Sequence, residues 1–144
     1  CCELLKQGKA EFGIEVHAFV LMSNHYHLCL HTPKANIDRF MMFFNKRLGE
    51  KISRQAHRIN RIFGAPYKWT LIKSLSHYHT VIRYVYQNPV RAGICGECDD
   101  YQFSDIREKE FDKNYLSWLN EPSSKIEEQQ TRKKLRRYIL EMPQ

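Results

Sequence analysis

No stretch of this chain stays apolar for anything near the roughly 18 residues of a membrane span, and no segment has the three-part layout of a secretory signal. The expectation is a cytoplasmic protein with no membrane partner. Disulfide chemistry is missing as well: the five cysteines are odd in number, lack framework spacing and include the adjacent Cys1 and Cys2, so reduced thiols are expected. Cys95-Gly96-Glu97-Cys98 is a lone CxxC without partners at zinc-site spacing. Internal repeats and low-complexity tracts are absent, which excludes repeat architectures. Beginning at Cys1 rather than Met, the sequence is expected to start downstream of the native N-terminus.

What is present suits one domain with an appendage: 144 residues, 42% of them apolar, enough for one real core. A formal charge of +7 raises the expectation of an anionic partner, although charge alone does not separate nucleic acid from other anions. The cations are clustered. Lys46, Arg47, Lys51, Arg54, Arg58 and Arg61 fall in one run, and Arg132, Lys133, Lys134, Arg136 and Arg137 in another. Each run by itself is equally well a solvated helix face.

The patterning predicts a helix from Cys2 to about Lys9, a strand over Ile14 to Met22, turn chemistry at Ser23-Asn24 and a second strand over His25 to Thr32. From Asn36, apolar residues recur at three- and four-residue spacing through Phe40, Phe44, Leu48 and Ile52 to Ile59, predicting one long amphipathic helix. Tyr67 to Lys73 reads as another strand. Ser74 or Ser76 caps a helix expected to end at Asn88, where Pro89 and Gly93 stop it. Tyr101 to Asp105 is a loop by composition. Phe111, Tyr115, Leu116 and Leu119 suggest a short helix, and Ser124 with Glu127 forms a capping box that opens a last basic one. The fold class is α+β with a helical tail.

One constellation specifies chemistry. On a strand, His25 and His27 point to the same face with Cβ atoms about 6.6 Å apart, so two imidazoles can converge on one ion, while Tyr26 points to the core side. His31 lies about 13 Å further along, too far to join them. His77-Tyr78-His79 repeats the letters at the start of a helix, where residues two apart diverge by about 200°. Around the later helix, Val81, Ile82 and Val85 form the buried stripe, and Tyr84 and Asn88 fall together at its edge. Tyr86 suits packing better, and Arg83 and Gln87 are expected to face outward, where Arg83 meets phosphate. Partly exposed histidines on a strand and a boundary tyrosine are the ordinary alternatives to a site.

His25-Tyr26-His27 resembles the His-hydrophobic-His motif of the single-tyrosine (HUH) transposases of insertion sequences. Tyr84-x-x-x-Asn88-Pro89-Val90-Arg91-Ala92-Gly93 resembles the helix that carries their nucleophile. The similarity is closest to the REP-associated tyrosine transposase branch, where Asn followed by Pro stands in the place that many relatives fill with Gln. Val16 through Leu30, the stretch from 60 to 74 with Trp69, and Tyr101-Gln102-Phe103-Ser104 add to it, so that it covers about residues 10 to 106.

The resemblance implies a ferredoxin-like domain, a central antiparallel sheet with packed helices, over residues 1–107, followed by a basic helical extension over 108–144. It also implies a strand ahead of the first helix, a homodimer, and single-stranded or hairpin DNA as substrate. His25, His27 and the Asn88 oxygen would bind Mg²⁺ or Mn²⁺, and Tyr84 would attack phosphorus, leaving a 5′-phosphotyrosine link and a free 3′-hydroxyl. Lys46, Arg47, Lys51, Arg54, Arg58, Arg61, Arg83 and Arg91 are the expected nucleic-acid contacts. Two other readings stay open: a DNA- or RNA-binding module that does not cut, and a structural zinc protein using the histidines with Cys95 and Cys98.

Overall fold

The structure, a computed structural model, describes residues 2–57, 62–63 and 66–121. Arg58, Arg61 and the last basic helix with its capping box lie outside the described residues. In chain order the elements are α1 (Cys2–Phe12), β1 (Glu15–Leu21), β2 (Tyr26–His31), α2 (Ile37–Ala56), α3 (Leu75–Arg91), short 3₁₀ turns at Cys98–Asp100 and Ile106–Glu108, and α4 (Lys113–Asn120). The α+β class is thus observed. α1 runs slightly further than expected and stops where Gly13 takes φ +67° and its N–H meets the Lys9 carbonyl at 3.0 Å.

β1 and β2 form an antiparallel hairpin with Leu21 opposite Tyr26, Val20 opposite His27 and Phe19 opposite Leu28. Its two faces carry separate cores. Phe19 and Tyr26 join Phe40, Phe44 and Leu48 under α1 and α2, while Ala18, Val20 and Cys29 join Val81, Ile82, Val85, Tyr86 and Leu119 under α3 and α4. The pairing register shifts between Val16 and Ala18, so His17 is the extra residue of a bulge. Along the outer side of β1, Leu21 N–H donates to Phe103 O at 2.8 Å and Asp105 N–H to Phe19 O at 3.0 Å, with Val20 bridging Ser104. The loop at 101–105 therefore works as a rudimentary third strand.

Three expectations need correction. Tyr67 to Lys73 has strand composition but no regular structure, because a strand also needs a partner for its backbone groups. Instead, residues 69–72 face β2 across a cavity of about 550 Å³.

α3 does not stop at Pro89 but continues to Arg91, with Gly93 at φ +69° ending it. Its N-cap is Ser74, whose hydroxyl accepts from His77 N–H at 3.1 Å.

Arg83 and Gln87 do not face solvent, because α4 packs over them. Gln87 Nε2 donates to the Leu119 and Glu121 carbonyls at 2.8 and 2.9 Å, and the Arg83 guanidinium donates to Glu121 O at 2.6 Å while lying over the Trp118 ring. Leu119 is fully buried in the core under α3.

Candidate metal and nucleophile site

His25 closes the hairpin turn, its carbonyl accepting from Met22 N–H at 2.8 Å, and His27 lies one step into β2 on the α3 side. Their Nε2 atoms are 3.1 Å apart and the rings meet edge to face. Two donors at right angles around an ion with bonds of about 2.1 Å stand about 3.0 Å apart, so the pair is already spaced as ligands. The Nδ1 of His25 is 2.6 Å from the Asn24 side-chain oxygen. His27 is 2% exposed and its buried Nδ1 has no partner. Burial, reinforced by His25, pushes the His27 ring down to about 3, with a hydrogen bond to the Asn88 side chain acting the other way. His27 is therefore a neutral ring.

Asn88 owes its orientation to its neighbour. Pro89 has no N–H to give to the Val85 carbonyl four residues back, and the Asn88 amide occupies that turn of helix: Nδ2 donates to Tyr84 O at 2.7 Å and reaches Val85 O at 3.5 Å. With the nitrogen turned into the helix, the oxygen is left for His27. His25, His27 and Asn88 thus lie side by side within a single chain.

Tyr84 adjoins them. Its ring meets His27 edge-on with centroids 5.5 Å apart, and the Arg91 guanidinium lies over it at 5.3 Å. Tyr84 and His27 also line the cavity between β2 and residues 69–72. The neighbouring tyrosines are engaged elsewhere. Tyr86 is buried and donates to Asp105 Oδ1 at 2.9 Å, and Tyr78 bonds His17 Nδ1 at 2.9 Å. His79 stacks edge-on against Trp118, so the second His-Tyr-His does not gather. His31 pairs with Glu15 at 3.2 Å.

Among solved structures, a REP-associated tyrosine transposase bound to a REP hairpin aligns over 85% of this chain and 72% of its own, at 17% identity and a TM-score of 0.64. The chain has that transposase's fold. No family model and no curated protein matches it.

Within the transposase fold, the donor set here suits a divalent ion on its own observations: spaced imidazole nitrogens, a neutral buried ring and an oriented amide oxygen. Among the described residues no three His, Cys, Asp or Glu side chains gather as a metal site. Among the described residues, Cys95 and Cys98 have no further donors beside them of the kind that the zinc reading needs.

Exposed Lys46, Arg47, Lys51 and Arg54 stand on α2, the layer opposite α3. Tyr26 hydroxyl bonds Asn45 Oδ1 at 2.6 Å, which sets that point of α2 level with the start of β2. From there the helix runs about 13 Å further to Arg54. Arg47 also pairs with Glu50 at 3.5 Å. Of the features that sequence reasoning missed, the Asn24 contact and the role of Pro89 had a signal, since each directly adjoins a site residue. The His17–Tyr78 pair had none, because the bulge that aims His17 at α3 leaves no mark on composition.

Proposed function

We propose that this chain is a metal-dependent single-strand DNA transposase or endonuclease, which cuts and rejoins hairpin-forming DNA by transesterification. One observation carries the reading: His25, His27 and Asn88 converge beside the Tyr84 ring on one face of the sheet. A module that only binds nucleic acid needs none of this arrangement. His25, His27 and Asn88 would hold Mg²⁺ or Mn²⁺, and such an ion supplies electrophilic activation of a phosphate oxygen.

The chain's own groups do the rest. Tyr84 Oη forms a bond to phosphorus as the bond from phosphorus to the 3′ oxygen breaks, so one phosphodiester replaces another and no nucleoside triphosphate is consumed. The phenol proton leaves to solvent and the departing 3′ oxygen takes one up. Since a free tyrosine has a pKa near 10, only about one in a thousand is ionised at neutral pH, and the Arg91 guanidinium lies over the Tyr84 ring. Lys46, Arg47, Lys51 and Arg54 would follow the phosphates leading away from the hairpin end, which makes binding salt-dependent. Each site of the homodimer would be completed within one chain, as the meeting of His27 with Tyr84 supports.

Incubating the protein with a labelled hairpin oligonucleotide and Mn²⁺ should give a covalent adduct on a denaturing gel. Tyr84→Phe should give none. An adduct that persists in Tyr84→Phe would rule out this nucleophile.

A further inference from the structure

We propose that Asn24 is a positioning residue for His25, fixing the ring hydrogen on Nδ1 so that the Nε2 lone pair points to where His27 and Asn88 converge. The inference deepens the metal-site reading above and rests on it for its consequence, not for its geometry. A side-chain carbonyl oxygen only accepts, so the 2.6 Å contact from Asn24 Oδ1 requires a hydrogen on Nδ1 of His25. A neutral imidazole carries one ring hydrogen, and Nε2 is then an acceptor. The 3.1 Å contact between the two Nε2 atoms follows: His27 donates and His25 accepts.

The two rings are held by opposite means. His27 is fixed by burial, with Tyr84 against it and Asn88 bonded to it. His25 sits at the end of the hairpin, half-exposed, where packing alone does not choose between its two nitrogens. Which ring nitrogen faces a metal is set by the bond the other nitrogen makes. Asn24 is the residue that makes it. Without that acceptor the hydrogen is free to occupy Nε2 and block the lone pair, although no ligand atom has been removed. Asn24 is itself exposed, so its replacement leaves both cores intact.

The test uses the 144-residue chain, ¹⁵N-labelled, as wild type, Asn24→Ala and Asn24→Asp. Two-bond nitrogen–proton correlations of the neutral His25 ring read the tautomer directly, and free Mn²⁺ measured by electron paramagnetic resonance reads binding. Wild type and Asn24→Asp, which keeps an acceptor oxygen, should show hydrogen on Nδ1. Asn24→Ala should show hydrogen on Nε2 and bind Mn²⁺ about 10- to 100-fold more weakly. A wild-type His25 with its hydrogen on Nε2, or an Asn24→Ala protein with unchanged tautomer, overturns the proposal. If the tautomer shifts as expected but wild type binds no Mn²⁺, Asn24 does hold the ring and it is the metal-site reading that fails.

Discussion

The Nε2 atoms of His25 and His27 face each other at 3.1 Å, and the hydrogen between them belongs to His27. That hydrogen takes the place between the two rings where an ion held by them would sit. A cation at the same point obliges His27 to carry its hydrogen on Nδ1, which is buried with no acceptor. Leaving a buried polar group unpaired costs about 1–3 kcal/mol. The ligand set is also uncharged, unlike the carboxylate sites that hold Mg²⁺ or Ca²⁺.

A weak neutral site beside a phosphate-binding surface leads to reciprocal coupling. The substrate phosphate supplies the missing negative charge, so DNA should tighten Mn²⁺ binding and Mn²⁺ should tighten DNA binding by the same factor, about 5- to 150-fold. Titrations of Tyr84→Phe, which cannot react, would measure both factors. Independent affinities would refute the coupling.

Tyr86 lies two residues from Tyr84 and serves stability instead. Its hydroxyl donates to Asp105 Oδ1 at 2.9 Å, the same oxygen that accepts from Phe19 N–H at 2.8 Å, while Lys109 sits 3.3 Å from the other oxygen. Burial and the Asp105 carboxylate both raise the phenol out of reach of ionisation. Tyr86→Phe removes a bond to a buried charge and should lower stability by about 1.5–3 kcal/mol in urea denaturation. Adduct formation in Tyr86→Phe protein under folding conditions should match wild type. A missing adduct with unchanged stability would exchange the roles of the two tyrosines.

That separation of Tyr84 from Tyr86 was legible in the sequence, because helical phase is local: Tyr84 shares a face with Asn88, and Tyr86 does not. The strand placement of His27 was legible for the same reason, since alternation depends only on near neighbours, whereas β2 begins one residue after His25, which closes the turn. What failed depended on distant ones. Arg83 and Gln87 lie off the apolar stripe, and nothing in their own helix reveals that α4, some thirty residues on, covers them. Tyr67 to Lys73 has strand residues, but the missing partner edge is a property of the fold. Pro89 read as a stop, whereas Asn88 fills the turn that the proline leaves open.

His17 should leave a trace in the pH dependence of stability. Burial first, and Lys109 second, hold its ring below the ordinary value of about 6.5, with Glu15 acting against them and Tyr78 bonded to Nδ1. The folded chain then takes up this proton less readily than the unfolded one. The contribution is complete above the unfolded value and is lost as pH falls from there through the lowered folded value. His17→Gln should flatten the fall in urea midpoint as pH drops below about 6.5 relative to wild type. Parallel curves for the two proteins would contradict it.

The exposed cations of α2 and the covered Arg83 should respond differently to salt. Lys51 and Arg54 are exposed on α2. Arg83 is largely covered, bonded to Glu121 O at 2.6 Å and set over Trp118. On a single strand, each phosphate left without its cation should lower the slope of log affinity against log salt by about 0.7. Lys51→Gln and Arg54→Gln should each lower the slope by about that amount and leave the denaturation midpoint unchanged. Arg83→Gln should do the reverse, loosening α4 while keeping the slope. If Arg83→Gln lowers the slope as the α2 variants do, the guanidinium must leave α4 when DNA binds, and Glu121 would have to give up its hydrogen bond in the complex.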